Sequence, residues 1–151
     1  MIEQGLQQEI NMVMTEARNR RLEFVTVEHL LLALLNMDEV IAFLRGKRVN
    51  IDELRAELDQ YIDSHTPIIS EDAEIDIVPT VGFQRVLQRS VYQAQSAQKN
   101  SVNAMNVFVS IFSEKESHAV YMLKLNNISR LDVMEGISSH LADNPVEETK
   151  K

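Results

Sequence analysis

Residues 25–35 read VTVEHLLLALL, and this stretch decides the fold. Thr26 is a suitable N-cap because its hydroxyl accepts a hydrogen bond from the first helical turn, and Glu28 places negative charge where the helix dipole favours it. The residues after His29 are apolar on nearly every side, a pattern typical of a helix buried among other helices. The run is too short to cross a bilayer, which takes about 20 apolar residues. We therefore predict a central core helix that begins after Thr26.

The same pattern recurs at an offset of 77 residues, where residues 103–112 read NAMNVFVSIF. This offset places the potential cap Asn103 over Thr26 and superimposes the apolar runs that follow. Apolar positions before the core helix superimpose at the same offset, and apolar positions after it superimpose when two further residues are inserted. The superimposed pairs are Leu6/Phe83, Ile10/Leu87, Met14/Val91, Ala17/Ala94, Val49/Ile128, Leu54/Val133 and Leu58/Ile137. Apolar positions that repeat while polar positions diverge indicate an internal duplication.

Composition favours a single helical domain. The chain has 151 residues, of which 44% are hydrophobic, and a domain of this size buries roughly 70% of its unfolded surface. Four Gly and three Pro provide few turns for a β-sandwich or barrel. The absence of Cys excludes disulfides, thiolate metal sites and cysteine catalysis. A net charge of −8 argues against nucleic-acid and anionic-membrane partners, and the N-terminus lacks the features of a signal peptide, so we expect a cytoplasmic protein.

Apolar spacing and capping residues predict eight helices, four in each repeat. Asn50 with Glu53, and Ser129 with Asp132, resemble capping boxes. The residues at which the eight helices are predicted to begin are Glu3, Thr26, Asp38, Asn50, Thr80, Asn103, Ser113 with Glu116, and Ser129. The predicted fold is all-α, an internal duplication of two four-helix motifs packed as one domain over residues 1–141.

The domain divides into repeat 1 (about 1–64), an acidic linker (about 65–79) and repeat 2 (about 80–141). The linker is bracketed by Pro67 and Pro79 and has no apolar periodicity. Its carboxylates suggest a calcium loop, but the Gly and closing Glu of an EF-hand are missing, so a solvated linker is the better interpretation. Residues 142–151 are polar, and we expect a flexible tail or the start of a linker to another module.

The sequence contains little that indicates catalysis. It has no P-loop, no His-Glu-x-x-His and no Gly-x-Ser-x-Gly. The four histidines, His29, His65, His118 and His140, share no ligand spacing, and His29 is more plausible as a hydrogen-bonded core residue than as a ligand or base. Arg18, Arg20 and Arg21 gather where the first helix ends, either as a site for an anion or acidic partner or as solvated charge favoured by the helix dipole. We predict a segment without enzymatic activity, metal or cofactor.

Three blocks of the chain resemble a known family. Residues 23–35 (EFVTVEHLLLALL), 83–91 (FQRVLQRSV) and 128–133 (ISRLDV) are similar to the N-terminal domain of Clp-type AAA+ unfoldases, in the ClpA branch rather than ClpB or ClpC. The resemblance covers residues 1–141, and the fold it implies, a pseudo-twofold pair of four-helix motifs, agrees with the duplication.

The resemblance implies a mobile module at the entrance of a hexameric unfoldase that feeds the ClpP peptidase. Such a module docks the adaptor ClpS and receives protein substrates, while ATP and Mg²⁺ bind only to ATPase modules that this segment lacks. The positions that match the adaptor-facing surface are Glu23, Glu28 and Thr80, with Arg85 as a weaker candidate. Leu22 stands where a histidine is common in the branch, which lowers the expectation of a zinc site at this surface. The linker is also shorter and more acidic than the family pattern implies.

Two further functions stay open. A ClpB- or ClpC-like domain would bind unfolded polypeptide through apolar grooves between its helices. An enzyme with an unrecognised carboxylate pair is the least supported alternative.

Overall fold

The computed structural model describes residues 2–71 and 76–143, with side chains up to Ser138. Its elements are α1 (Gln4–Asn19), β1 (Phe24–Val25), α2 (Val27–Leu34), α3 (Asp38–Gly46), α4 (Ile51–His65), β2 (Val78–Pro79), α5 (Val81–Ser96), α6 (Ala104–Ile111), α7 (His118–Leu125) and α8 (Arg130–Asp143). The predicted all-α fold with two four-helix repeats is confirmed. The tail predicted over 142–151 overlaps the end of α8, and residues 144–151 lie outside the described residues.

The two repeated apolar helices form the centre of the molecule. Seven of the eight residues of α2 are buried, and so are seven of the eight residues of α6. The two helices contact each other, α2 also packs against α1, α4, α5 and α7, and α6 also packs against α3, α5 and α8. The core is therefore shared by both repeats, and neither repeat encloses a core of its own.

Capping residues begin most helices where the sequence predicts. The side chains of Thr26, Asn50, Thr80 and Asn103 each accept a hydrogen bond from the backbone N–H three residues later. In α2 and α6 the bond is reciprocated: His29 Nδ1 accepts from the Thr26 N–H at 3.0 Å, and Asn106 Oδ1 accepts from the Asn103 N–H at 3.0 Å. Ser129 and Asp132 form a capping box at α8. These bonds satisfy N–H groups that a helix leaves unpaired at its start.

Two predicted helix starts are wrong. Met37 occupies the N-cap position of α3, so Asp38 is the first helical residue and makes no capping bond. Helix α7 begins after Ser117, whose hydroxyl accepts from the Val120 N–H at 3.2 Å. The chain from Ser113 to Ser117 instead continues α6 as tight turns, with backbone bonds from Ser113 to Ser110 and from Ser117 to Glu114.

The two strands are too short to show any periodicity, and the sequence did not predict them. Strands β1 and β2 pair in parallel, Phe24 with Val78 and Val25 with Pro79. A parallel bridge between Ile2 and Val102 is the same contact at the repeat offset. The first strand of each repeat therefore pairs with the inner strand of the other repeat. This crossed pairing is a direct structural sign of the duplication.

Helix ends repeat in the same way. Four non-glycine residues adopt positive φ just after helices α1, α3, α5 and α7, and at each the next N–H reaches a carbonyl five residues back, as in a Schellman motif. The residues and their φ values are Arg21 (57°), Arg48 (62°), Gln98 (58°) and Asn127 (62°). Arg21 and Gln98 are equivalent in the two repeats, as are Arg48 and Asn127.

Candidate docking surface

The ladder between β1 and β2 brings the starts of α2 and α5 side by side. Thr26 and Thr80, the two N-caps, directly follow the paired strands, and the Thr80 N–H donates to the Val25 carbonyl at 2.9 Å. The Val78 N–H donates to the Glu23 carbonyl at 3.0 Å. Glu23 and Thr80, which are 57 positions apart in sequence, therefore lie on one small surface.

Apolar side chains flank these two residues. Ile68, which bridges to Leu22, is 71% exposed, Val78 is 46% exposed and Val81 is 68% exposed. We call Glu23, Ile68, Val78, Thr80 and Val81 the ladder surface. Glu23 and Thr80 are half-buried. A carboxylate and a hydroxyl beside exposed aliphatic groups form a surface suited to a protein partner.

Glu28 does not belong to the ladder surface. Only 6% of the residue is exposed, and its Oε2 accepts the Ala119 N–H at 2.9 Å in the first turn of α7. The carboxylate thus satisfies a buried N–H and places negative charge at the start of a helix. The geometry favours a structural role for Glu28. Sequence reasoning had no means to find a partner 91 residues away.

Arg85 lies on the exposed side of α5 and forms a bidentate ion pair. Its Nε donates to Glu114 Oε2 at 2.7 Å and its Nη2 to Oε1 at 2.6 Å. Arg89 lies 3.7 Å from the same carboxylate. Hydrogen bonding to Arg85 is the main cause that lowers the pKa of Glu114. Arg85 is therefore partly neutralised by Glu114, a residue that the sequence analysis did not single out.

Two of the three arginines at the end of α1 contact the linker, and the third contacts α4. Arg18 pairs with Asp76 at 3.0 Å, Arg20 pairs with Asp63 in α4, and Arg21 donates to the carbonyls of Ile69 and Ser70. The hydrogen bond from Arg18 is the main cause that lowers the pKa of Asp76. Of the two interpretations of this cluster, the structural one fits the contacts that the structure shows.

The histidines have separate surroundings. His29 is 3% exposed, and burial, followed by the charge of Arg20, lowers its pKa to about 4, so the imidazole is neutral at pH 7. His118 and His65 stack on the Tyr61 ring at centroid distances of 3.9 and 4.1 Å. Among the described residues, no group of three or more His, Asp or Glu side chains is arranged to hold a metal ion. The same part of the chain has no helix long and apolar enough to cross a membrane.

Comparisons with known proteins agree with this architecture. A "ClpA homolog protein" of Fuscovulum blasticum is 35% identical over 141 residues, which are 93% of this chain and 18% of that protein. The chain thus spans less than a fifth of this curated relative.

Two solved structures share the fold at low identity. The N-terminal domain of Hsp104 from Candida albicans has a TM-score of 0.75 at 12% identity, over 89% of this chain and 87% of that one. A ClpV N-domain in complex with a VipB peptide has a TM-score of 0.69 at 15% identity, over 94% of this chain and 88% of that one. The model of the Clp repeat N-terminal domain matches residues 1–126, and this chain belongs to that family.

Proposed function

We propose that this chain is the adaptor-docking and substrate-receiving domain of a ClpA-like AAA+ unfoldase, and that it binds the adaptor ClpS. The observation that carries the proposal is the β1–β2 ladder, which brings the segments of Glu23 and Thr80 together beside exposed aliphatic side chains. The ClpA homolog supports the choice of branch, and the ClpV N-domain bound to a VipB peptide shows a related fold receiving a polypeptide.

In this proposal the four residues that the resemblance points to, Glu23, Thr80, Arg85 and Glu28, have distinct roles. The Glu23 carboxylate attracts a basic patch on the adaptor. This attraction orients the adaptor and speeds association, and it adds less to the binding free energy. The Thr80 hydroxyl accepts the capping hydrogen bond from the Phe83 N–H at 3.2 Å, and the γ-methyl group is the part of the side chain that faces the partner. Arg85 contacts the adaptor at the edge of the docking surface. Glu28 acts indirectly, because its hydrogen bond to the Ala119 N–H keeps α7 in place. The domain itself is not catalytic, and substrates reach ClpP only through the complete ATP- and Mg²⁺-dependent hexamer.

The test is a calorimetric titration with ClpS of the same organism at two salt concentrations. We expect saturable one-to-one binding that weakens with salt, because rim charges are screened within about 10 Å at 0.1 M. Glu23→Ala should weaken binding, whereas Glu57→Ala, on an exposed part of α4 away from the ladder, should not. Thr80→Ser keeps the cap and removes the methyl group, so a loss of binding with unchanged stability assigns the contact to that group. Absence of binding at high micromolar ClpS contradicts the proposal.

A second function is favoured by the exposed aliphatic side chains Ile68, Val78 and Val81. As a general receiver of unfolded polypeptide, the domain would bind extended apolar segments directly. That interaction would depend on Val81 and be nearly insensitive to salt. Binding of an unfolded polypeptide that Val81→Ser abolishes, without any response to ClpS, would favour this alternative.

A further inference from the structure

A charged cavity lies between α1, α2 and α4, away from the ladder surface. Its volume is about 300 Å³, and its polar lining consists of Glu16, Arg20, His29, Asn36, Arg55 and Asp59. Glu16 and Asn36 are exposed while Arg20, Arg55 and Asp59 are half-buried, so the cavity opens to solvent on one side. None of the residues proposed for adaptor docking lines it, and the inference below does not depend on that proposal.

His29 presents an unpaired donor at this cavity. Its Nδ1 must be an acceptor, because the Thr26 backbone N–H can only donate to it. The neutral ring therefore carries its proton on Nε2, which is buried and has no hydrogen-bond partner among the described residues. A buried N–H without an acceptor is unfavourable, because it has lost its hydrogen bond to water. His29 lines the cavity, so an oxygen atom brought against the ring edge from this side would supply the missing acceptor.

The cations of the cavity already have partners. Arg20 pairs with Asp63, and Arg55 donates to the Leu35 carbonyl at 3.0 Å and to Asn36 Oδ1 at 3.1 Å. Glu16 lies one helical turn before Arg20 in α1, and Asp59 lies one helical turn before Asp63 in α4. Both Glu16 and Asp59 line the cavity. Neither carboxylate has an ion pair or hydrogen bond within the part of the chain that the structure describes. The uncompensated groups are therefore two carboxylates and one N–H donor.

Repeat 2 shows that the fold does not require these groups. The positions equivalent to Glu16, Arg20, Arg55 and Asp59 are occupied by Gln93, Ala97, Met134 and Ser138. The position equivalent to His29 is Asn106, which makes the same reciprocal cap. The same four-helix motif thus forms without the charges and without an imidazole N–H.

We propose that this cavity binds the N-terminal residue of a polypeptide. The α-ammonium group pairs with Glu16 and Asp59, and the first peptide carbonyl accepts from His29 Nε2–H. An ammonium with a carbonyl oxygen close by matches the uncompensated groups in charge and in hydrogen-bonding role, whereas a lysine side chain provides no acceptor. The two carboxylates, contributed by α1 and α4 to the same cavity, select for the unblocked terminus.

The test is calorimetric titration of this chain with tetra-alanine amide, with its N-acetylated form and with alaninamide. We expect saturable binding of the unblocked tetrapeptide, and a loss of at least about tenfold in affinity on acetylation, because acetylation removes the charge that makes these hydrogen bonds strong. Asp59→Asn and Glu16→Gln should each weaken binding of the unblocked peptide and leave the acetylated one unaffected. Glu57→Gln, outside the cavity on α4, is the matched control and should bind as the parent chain does.

His29→Asn keeps the cap, because Asn106 makes both capping bonds at the equivalent position, and it replaces the ring Nε2–H with an amide NH2 group that lies closer to the backbone and reaches less far into the cavity. It should weaken peptide binding several-fold while the helical circular dichroism is retained. Equal affinity for the blocked and unblocked peptides, or no saturable binding of either, overturns the proposal. Alaninamide carries both contacting groups, the α-ammonium and the first carbonyl, so it should bind nearly as tightly as the tetrapeptide, and a failure to bind it would also overturn the proposal.

Discussion

Glu28 acts from the interior, through one hydrogen bond to the Ala119 N–H. Glu28→Ala leaves that N–H buried and unpaired, and should lower the free energy of unfolding by about 1–3 kcal/mol. Glu28→Gln keeps an acceptor of the same shape and should cost less than Glu28→Ala. Urea denaturation of both variants measures the difference. If Glu28→Ala weakens ClpS binding with no loss of stability, the side chain contacts the adaptor and the structural role is wrong.

His29 makes stability depend on pH in a defined window. Its pKa is about 4 in the folded chain and 6.5 in the unfolded chain, so the unfolded state binds the proton more readily. The stabilisation is complete above pH 6.5 and is lost as the pH falls towards 4, by up to roughly 3 kcal/mol. Denaturation of the parent chain and of His29→Asn across this range isolates the effect, because the carboxylates titrate in both. If the free energies of unfolding of the two chains changed in parallel with pH, this role of His29 would be contradicted.

At the scale of helices, close packing can be tested with two glycines. A Cβ on Gly136 in α8 would lie 2.7 Å from Phe43 Cδ1 in α3, whereas nothing lies within 4 Å of a Cβ on Gly46. Gly136→Ala should destabilise the domain by about 1–3 kcal/mol through overpacking. Gly46→Ala should stabilise it by about 0.5–1 kcal/mol, since glycine is unfavourable in a helix. Thermal unfolding of the pair should shift the midpoint in opposite directions.

The turn after α3 offers a stabilising change. Arg48 is exposed and has a φ of 62°, a left-handed conformation that costs L-residues about 1–2 kcal/mol. Arg48→Gly should raise the free energy of unfolding by roughly 0.5–1 kcal/mol, because part of the relief is offset by the greater freedom of glycine in the unfolded chain. Asn127→Gly, at the equivalent turn, should gain less, since asparagine tolerates this conformation. Chemical denaturation that ranks the two changes in the opposite order refutes the argument.

Most helix starts were predictable from the sequence, because the hydrogen bonds that form them join residues close together in the chain. The caps at Thr26, Asn50, Thr80 and Asn103 depend on a bond spanning three residues, and all four were predicted. The start of α7 was misplaced although its cap is equally local, because Ser113 and Ser117 are both suitable caps and the bond from the Val120 N–H goes to Ser117. The strands, the burial of Glu28 and the cavity at His29 depend on contacts between segments far apart in sequence. Of the candidate site, the resemblance proposed Glu23 and Thr80, and the ladder that brings their segments together was not predictable from the sequence.

At the scale of the whole molecule, the crossed pairing and the shared core make each repeat incomplete. Repeat 1 (residues 1–70) expressed alone lacks the partner of β1, and repeat 2 (residues 76–151) alone lacks the carboxylate that caps α7. We expect each to be largely unfolded by circular dichroism and to regain helical structure when the two are mixed. The intact chain should unfold in a single transition. Two separate transitions, or a folded isolated repeat, would contradict this expectation.

The crossed pairing also indicates how such a molecule could arise. A chain holding one repeat would find the partner for each strand only in a second copy, so its compact form would be a symmetric dimer. Joining two copies end to end replaces an assembly that depends on protein concentration with an intramolecular one, at an effective concentration set by the connecting segment. Symmetry is then no longer enforced, and one copy is able to change without the other. Glu28 and the charges around His29, each present in one repeat only, are the differences that a fused dimer permits and a true dimer forbids.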